Sequence, residues 1–343
     1  MPKKIIPFAL FVMLLCSAGC RQEKKLPPVD HIPVDIKIER FDQALSKVEP
    51  EELATANARW SSSYGAFYAD YVPFMLEAGD PRDPQTVEKN LAYIVQQKDF
   101  LALKAAVAKV YPDMKQQEKE LTQAFKYVKY YFPNYTVPRF ISFFSGFSVQ
   151  VPIGEGYIGI GLDMFLGADS EFYPALVKTI PRYLSKRFAP AYIAPRVVES
   201  VLRQELIPQG ETDRNTLQHM LYEGKLLLAL DSMLPHTADT LKIGYSDAQL
   251  QWAKAYQPEV WAWFLQEDLL YSTDYLRIQR YFTEGPFTAE LGENNESAPK
   301  LGTYLGWQIV RQYMERNPEI TLAQLLANTD AQDILTKSKF KGK

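Results

Sequence analysis

The chain has 343 residues, 47% of them hydrophobic and 13% aromatic, with 38 basic against 41 acidic side chains and a formal net charge of −3. That apolar content supports a large core and excludes a disordered chain, and the lack of a basic excess excludes a nucleic-acid binder. The only cysteines, Cys16 and Cys20, stand near the start. Everything after them lacks a thiolate nucleophile, a disulfide-linked partner or a zinc-thiolate site.

Lys3 and Lys4 precede an apolar run from Ile5 to Leu15, which ends in Ser17-Ala18-Gly19-Cys20. The run is too short for a hydrocarbon core that needs roughly 20 helical residues, and a charged start with a short apolar core predicts a secretion signal over 1–19. Small side chains before Cys20 admit a peptidase, and the freed cysteine is the expected lipidation site. Several acyl chains, at about 0.8 kcal/mol per buried methylene, make a lasting anchor. The alternative is a plain secretory signal cut near Gly19. Removal of Lys3 and Lys4 leaves 36 basic against 41 acidic residues. Residues 20–33 are polar and carry Pro27, Pro28 and Pro33, which predicts an extended tether. Residues 34–343 are expected to form one globular domain, divided into a helical part 34–136, a sheet 137–167 and a second helical part 168–343.

Val34, Ile36 and Ile38 alternate with Asp35, Lys37 and Glu39, the period of a half-buried strand. Apolar spacings of three and four then predict helices near 40–60, 62–76, 84–110 and 114–131, punctuated by Pro73, Pro84, Pro112 and Pro133. From Val137 the texture changes. Phe140-Ile141-Ser142-Phe143-Phe144 and Val149-Gln150-Val151 lead through Gly154-Glu155-Gly156 into Tyr157-Ile158-Gly159-Ile160-Gly161, which predicts a small antiparallel, hairpin-rich sheet. Helices follow near 171–187, 195–206, 214–232, 247–270, 301–316 and 321–336. Capping boxes are predicted at Ser246 with Gln249, Thr321 with Gln324 and Thr329 with Gln332. The fold class is α+β, mainly helical around one small sheet.

Histidine is scarce: His31 in the tether, His219 and His236. No His-Glu-x-x-His pair, phosphate-binding loop or Gly-x-Ser-x-Gly elbow occurs. The most informative helix is Thr216-Leu217-Gln218-His219-Met220-Leu221-Tyr222-Glu223-Gly224-Lys225. Helical spacing puts Glu223 on its apolar edge, where a carboxylate requires a partner or a metal. His219 lies one turn earlier, so the two form half of a metal site if Glu205 or Glu199 completes it; a paired carboxylate is the simpler reading. Glu199 and Arg203, four apart, are expected to form a surface ion pair. Trp252, Tyr256, Trp261, Trp263 and Phe264 have core spacing and lead to Asp274, with an exposed binding edge as the alternative. Asp163, at the end of the sheet, is expected to cap a turn or face a groove.

The order of motifs resembles the gliding-motility lipoprotein family of Bacteroidota, the GldB type. The resemblance runs from Ile38-Glu39-Arg40-Phe41-Asp42 to Ser338-Lys339-Phe340-Lys341. It passes through Tyr130-Tyr131-Phe132-Pro133, Gly161-Leu162-Asp163-Met164-Phe165-Leu166-Gly167, Met220-Leu221-Tyr222-Glu223-Gly224-Lys225, Asp231-Ser232-Met233-Leu234-Pro235, Leu269-Leu270-Tyr271-Ser272-Thr273-Asp274 and Leu305-Gly306-Trp307-Gln308-Ile309-Val310. Glu296-Ser297-Ala298-Pro299-Lys300 departs from the Ser-Pro-Gly run more usual there. The resemblance implies a lipid-anchored envelope component linked to gliding and type IX secretion. It implies protein partners, no cofactor, and placement in the outer membrane facing the periplasm. A weaker resemblance runs to gluzincin-type zinc peptidases. Their metal helix corresponds to Val197-Val198-Glu199-Ser200-Val201-Leu202-Arg203-Gln204-Glu205 and their later Glu-Gly pair to Glu223-Gly224, but no histidine stands in the metal helix. It implies a degenerate scaffold without catalytic residues or metal, in which Glu223, His219, Glu205, Asp163 and Asp274 are candidate groove residues. The rival readings are a metal-dependent envelope hydrolase using Glu223 and His219, and a cell-wall binder using the aromatic helices.

Overall fold

The computed structural model describes residues 26–210, 215–291 and 295–343. The expected signal segment, 1–19, and the expected lipidation site, Cys20, lie outside the described residues. Ile36 and Ile38 are buried while Asp35 and Lys37 face outward, as their alternation dictates. The first strand, β1 (Ile38–Arg40), leads into α1 (Phe41–Lys47), α2 (Leu53–Tyr64), α3 (Ala66–Asp70), α4 (Pro84–Gln96), α5 (Lys98–Val110) and α6 (Lys115–Tyr131). These helices form a long crossover that returns the chain to the sheet.

The strands β2 (Arg139–Phe143), β3 (Ile153–Gly154) and β4 (Tyr157–Gly161) complete a four-stranded sheet of order β1-β2-β4-β3. The antiparallel expectation holds only for the β3–β4 hairpin. Both central pairings are parallel, with Ile38 opposite Phe140 and Phe140 opposite Ile158. Connection explains this: the α1–α6 crossover and the 144–156 loop each bring the chain back in its original direction, as parallel strands require. The sequence carried the sign of it, since β2 from Phe140 onward and all of β4 are buried, the unbroken pattern of strands covered on both faces. At the free side of β1, Ile36 and Ile38 donate their amides to Thr122 Oγ1 (2.9 Å) and Glu118 Oε1 (3.0 Å) on α6, which leaves no open edge there.

Beyond the sheet come α7 (Arg182–Ser185), α8 (Ile193–Val201), α9 (Thr216–Met233), α10 (Asp239–Ile243), α11 (Asp247–Ala255), α12 (Gln257–Gln266), α13 (Tyr275–Ile278), α14 (Leu301–Arg316), α15 (Leu322–Ala327) and α16 (Ala331–Ser338). Prolines account for most departures from the expected lengths. Pro174 and Pro181 reduce 171–187 to short turns, and Pro258 splits 247–270 into α11 and α12, because its ring cannot donate to the preceding turn. The boxes at Ser246 and Thr321 form. The one expected at Thr329 does not: Asp330 caps α16 instead, accepting from the amide of Asp333 at 2.9 Å. An unforeseen box, Asn215 with Gln218, starts α9.

α9 and α14 form the most extensive helix pair, and glycine makes their approach possible. A Cβ on Gly224 would collide with the backbone of Gly306, and one on Gly306 with the carbonyl of Met220. Beside this crossing Arg311 stacks over Trp307 at 3.6 Å and forks onto Asp231 and Asp239, while Lys242 also binds Asp231 at 2.8 Å. The half-buried carboxylates at this end of the bundle are therefore matched by cations rather than left to water alone.

Candidate functional site

The crossing of α8, α9 and α14 places charged side chains around a cavity of about 130 Å³. After Val201 the helix α8 widens into one π-helical turn, Leu202–Leu206, which carries Arg203. Such turns recur where a helix serves a site rather than only a core. Arg203 donates Nη1 and Nη2 to the two oxygens of Glu223 on α9, at 2.8 and 2.7 Å, and Nε to Glu199 Oε1 at 3.0 Å. Arg196 holds the second oxygen of Glu199 at 2.6 Å. The expected surface pair of Glu199 and Arg203 is thus part of a sunken network, because the fork of Arg203 reaches the neighbouring helix. Burial alone would raise the Glu199 carboxyl, but Arg196, then Arg203 and Lys300, outweigh it and hold the group at about 2.

Lys300, the residue that precedes α14, closes the opposite wall. Its ammonium donates to Glu284 Oε1 (2.7 Å) and to the carbonyl of Ile243 (2.7 Å), and Arg187 reaches the same Glu284 oxygen at 2.9 Å. Desolvation pulls the Lys300 ammonium below its ordinary range, against the pull of Glu284. Burial raises and the two cations lower the carboxyl of Glu284, with a net lowering. Lys300 adopts φ 51°, the left-handed region that favours glycine.

Of the residues singled out in the sequence, the structure brings Glu199, Arg203, His219 and Glu223 to this cavity. His219 packs edge-on against Phe282, with centroids 4.2 Å apart, and its Nδ1 lies 3.3 Å from Gln209 Nε2. Glu205 points elsewhere and accepts from Tyr135 Oη at 2.7 Å, because the π turn turns it off the shared face. Asp163 is fully buried under the sheet. It accepts from the amides of Ser145 (2.8 Å) and Phe147 (2.6 Å) and from Ser145 Oγ (2.9 Å), tying the loop after β2 to the end of β4. Asp274 caps α13 by accepting from the Arg277 amide at 3.3 Å. Among the described residues no group of three histidine, aspartate or glutamate side chains is arranged to hold a metal ion. The aromatic segment divides: Trp261 and Phe264 are buried, while Tyr256 is half exposed.

Sequence reasoning missed Arg196, Lys300, Glu284 and Thr303, which come from distant segments. A profile of the family described as gliding motility protein GldB matches residues 22–342. The chain belongs to the GldB family. It is accordingly a gliding-motility lipoprotein and a membrane-anchored envelope protein, and no helix among the described residues is long and apolar enough to cross a bilayer. Comparisons with curated proteins and with solved structures gave no match. Several GldB motifs now have physical content: Glu223-Gly224 supplies an ion-pair partner and a close helix crossing, Gly306-Trp307 supplies the other half of that crossing, and Asp231 anchors Arg311.

Proposed function

We propose that this GldB-family protein is a non-catalytic component of the gliding and type IX secretion machinery, anchored through Cys20 and using the cleft beside α8 and α9 to bind a protein or peptide partner. The observation that carries the reading is the place of Arg203. In a gluzincin the metal sits between two side chains four apart on one helix and a glutamate on the next. Here two side chains four apart, Glu199 and Arg203, meet Glu223 of the next helix, and one of the three is a guanidinium, permanently charged and without a lone pair to offer a metal. Its three nitrogens each donate to a carboxylate instead. A hydrolase would need Glu223 as ligand or base, yet both of its oxygens are engaged. The scaffold is read as a peptidase-like frame turned to recognition, with the outer membrane as its anchor and the domain facing the periplasm.

The test is a photo-crosslinking residue at Thr283, exposed and next to the cavity-lining Phe282 and Glu284, introduced into the full chain in its own cells. The expected result is a discrete protein adduct. Wall fragments in place of protein adducts would contradict the reading.

A further inference from the structure

We infer that the uncharged groove between the end of α6 and α15 is the face this protein lays on the headgroup layer of its membrane; the inference rests on the Cys20 anchor proposed above. Pro27, Tyr130, Tyr131, Phe132, Ala323 and Leu326 line a groove of about 320 Å³, and none of its lining residues is charged. The cavity beside α8 and α9, by contrast, is walled by ion pairs. Tyr130 is 43% exposed and meets Tyr131 edge-on, with centroids 5.0 Å apart. Tyrosine rings, apolar in the body and polar at the tip, favour the boundary between hydrocarbon and water.

Chain length is what favours a bilayer over another occupant. Val29 already belongs to the core, at 2% exposure, and Ile32 donates its amide to the Val29 carbonyl at 3.0 Å. Pro27, in the groove wall, stands only seven residues after Cys20. Seven residues at full stretch reach about 25 Å. A domain of this length has a radius of gyration on the order of 20 Å and is therefore about 50 Å across. An acylated Cys20 thus keeps the Pro27 end of the domain beside the bilayer and holds the far side away from it. Between Cys20 and Leu26 the chain carries Arg21, Lys24 and Lys25 against Glu23, three positive charges to one negative, which draws the same end toward anionic headgroups.

The experiment places one environment-sensitive dye on the full lipidated protein. Apart from Cys20 the chain after the signal segment has no cysteine, so a single introduced thiol takes the label. Tyr130→Cys and Ala323→Cys probe the groove, and Tyr93→Cys, at a residue 67% exposed on α4 and outside the groove, is the control. Each labelled protein is reconstituted into vesicles of phosphatidylethanolamine with a minority of phosphatidylglycerol, floated on a density gradient, and compared with vesicles that carry a nitroxide quencher on the headgroup. The expected result is flotation of all three, with strong quenching at 130 and 323 and little at 93. Flotation without quenching at 130 and 323, or with equal quenching at all three positions, would overturn the inference and leave the anchor standing. Failure of the natural protein to float would remove the Cys20 anchor and the inference with it.

Discussion

Arg203 holds Glu223 by both carboxylate oxygens, at 2.8 and 2.7 Å, while its Nε remains on Glu199 at 3.0 Å, so one guanidinium joins α8 to α9. Replacing it with methionine leaves two carboxylates facing each other in a partly sunken cleft. Removal of one partner of a fully buried pair costs about 3–5 kcal/mol, and the partial exposure of Arg203 reduces this to about 2–3 kcal/mol. Urea unfolding of Arg203→Met should show that loss. Arg203→Lys, which lacks the fork, should fall between the two. Adding Glu223→Gln to the methionine variant should restore part of it.

The same network makes stability depend on acid. Glu199 sits at about 2 in the folded chain against 4.5 when free, so the unfolded state binds the proton first as pH drops. Its contribution is complete above pH 4.5 and is lost as pH falls through that window toward 2, on the order of 3 kcal/mol. Glu199→Gln should be less stable than the natural protein at pH 7, and the difference between them should shrink steadily between pH 4.5 and 2. Parallel stability curves for the two proteins across that range would count against the network.

Gly306→Ala tests the helix crossing. The added methyl meets the backbone carbonyl of Met220, which has no rotamer to yield, so the cost belongs at the upper end of overpacking, about 3 kcal/mol. Thermal melting should show it, with Gly224→Ala behaving alike through the backbone of Gly306. A substitution at Gly146, where a Cβ meets nothing within 4 Å, separates this clash from a backbone effect, since its φ of 63° disfavours side chains on conformational grounds alone.

Tyr71 predicts a gain. Its ring lies in the aromatic cluster around Phe41, with centroids 5.1 Å apart, and its hydroxyl is buried with no hydrogen-bond partner among the described residues. Burial pushes the phenol well above its ordinary range. Tyr71→Phe keeps the ring and removes the unsatisfied group, so denaturant midpoints should hold or rise, by up to about 1 kcal/mol in stability. A clear loss would mean that the hydroxyl has a partner.

Much of the fold was legible because it rests on local rules. Alternation at Ile36 and Ile38, the caps at Ser246 and Thr321, and the periodicity of 301–316 all act within one element. The strand direction was not, because parallel pairing depends on how the crossovers return the chain, and Phe140 and Ile158 look alike in either arrangement. The site was half legible. Helical spacing puts Glu223 at an apolar edge and so demands a partner, but choosing Arg203 over a metal requires the packing of α8 on α9. Lys300 and Glu284 lie far from α8 in sequence, and only the fold brings their charges to it.

The most direct test of the central claim, a recognition site held by a guanidinium rather than a metal centre, is the metal content of the mature protein purified without chelator, compared with Glu223→Ala. The account predicts far less than one metal ion per chain in both. Near-stoichiometric zinc in the natural protein that disappears in Glu223→Ala would contradict it and make the cleft a hydrolytic centre.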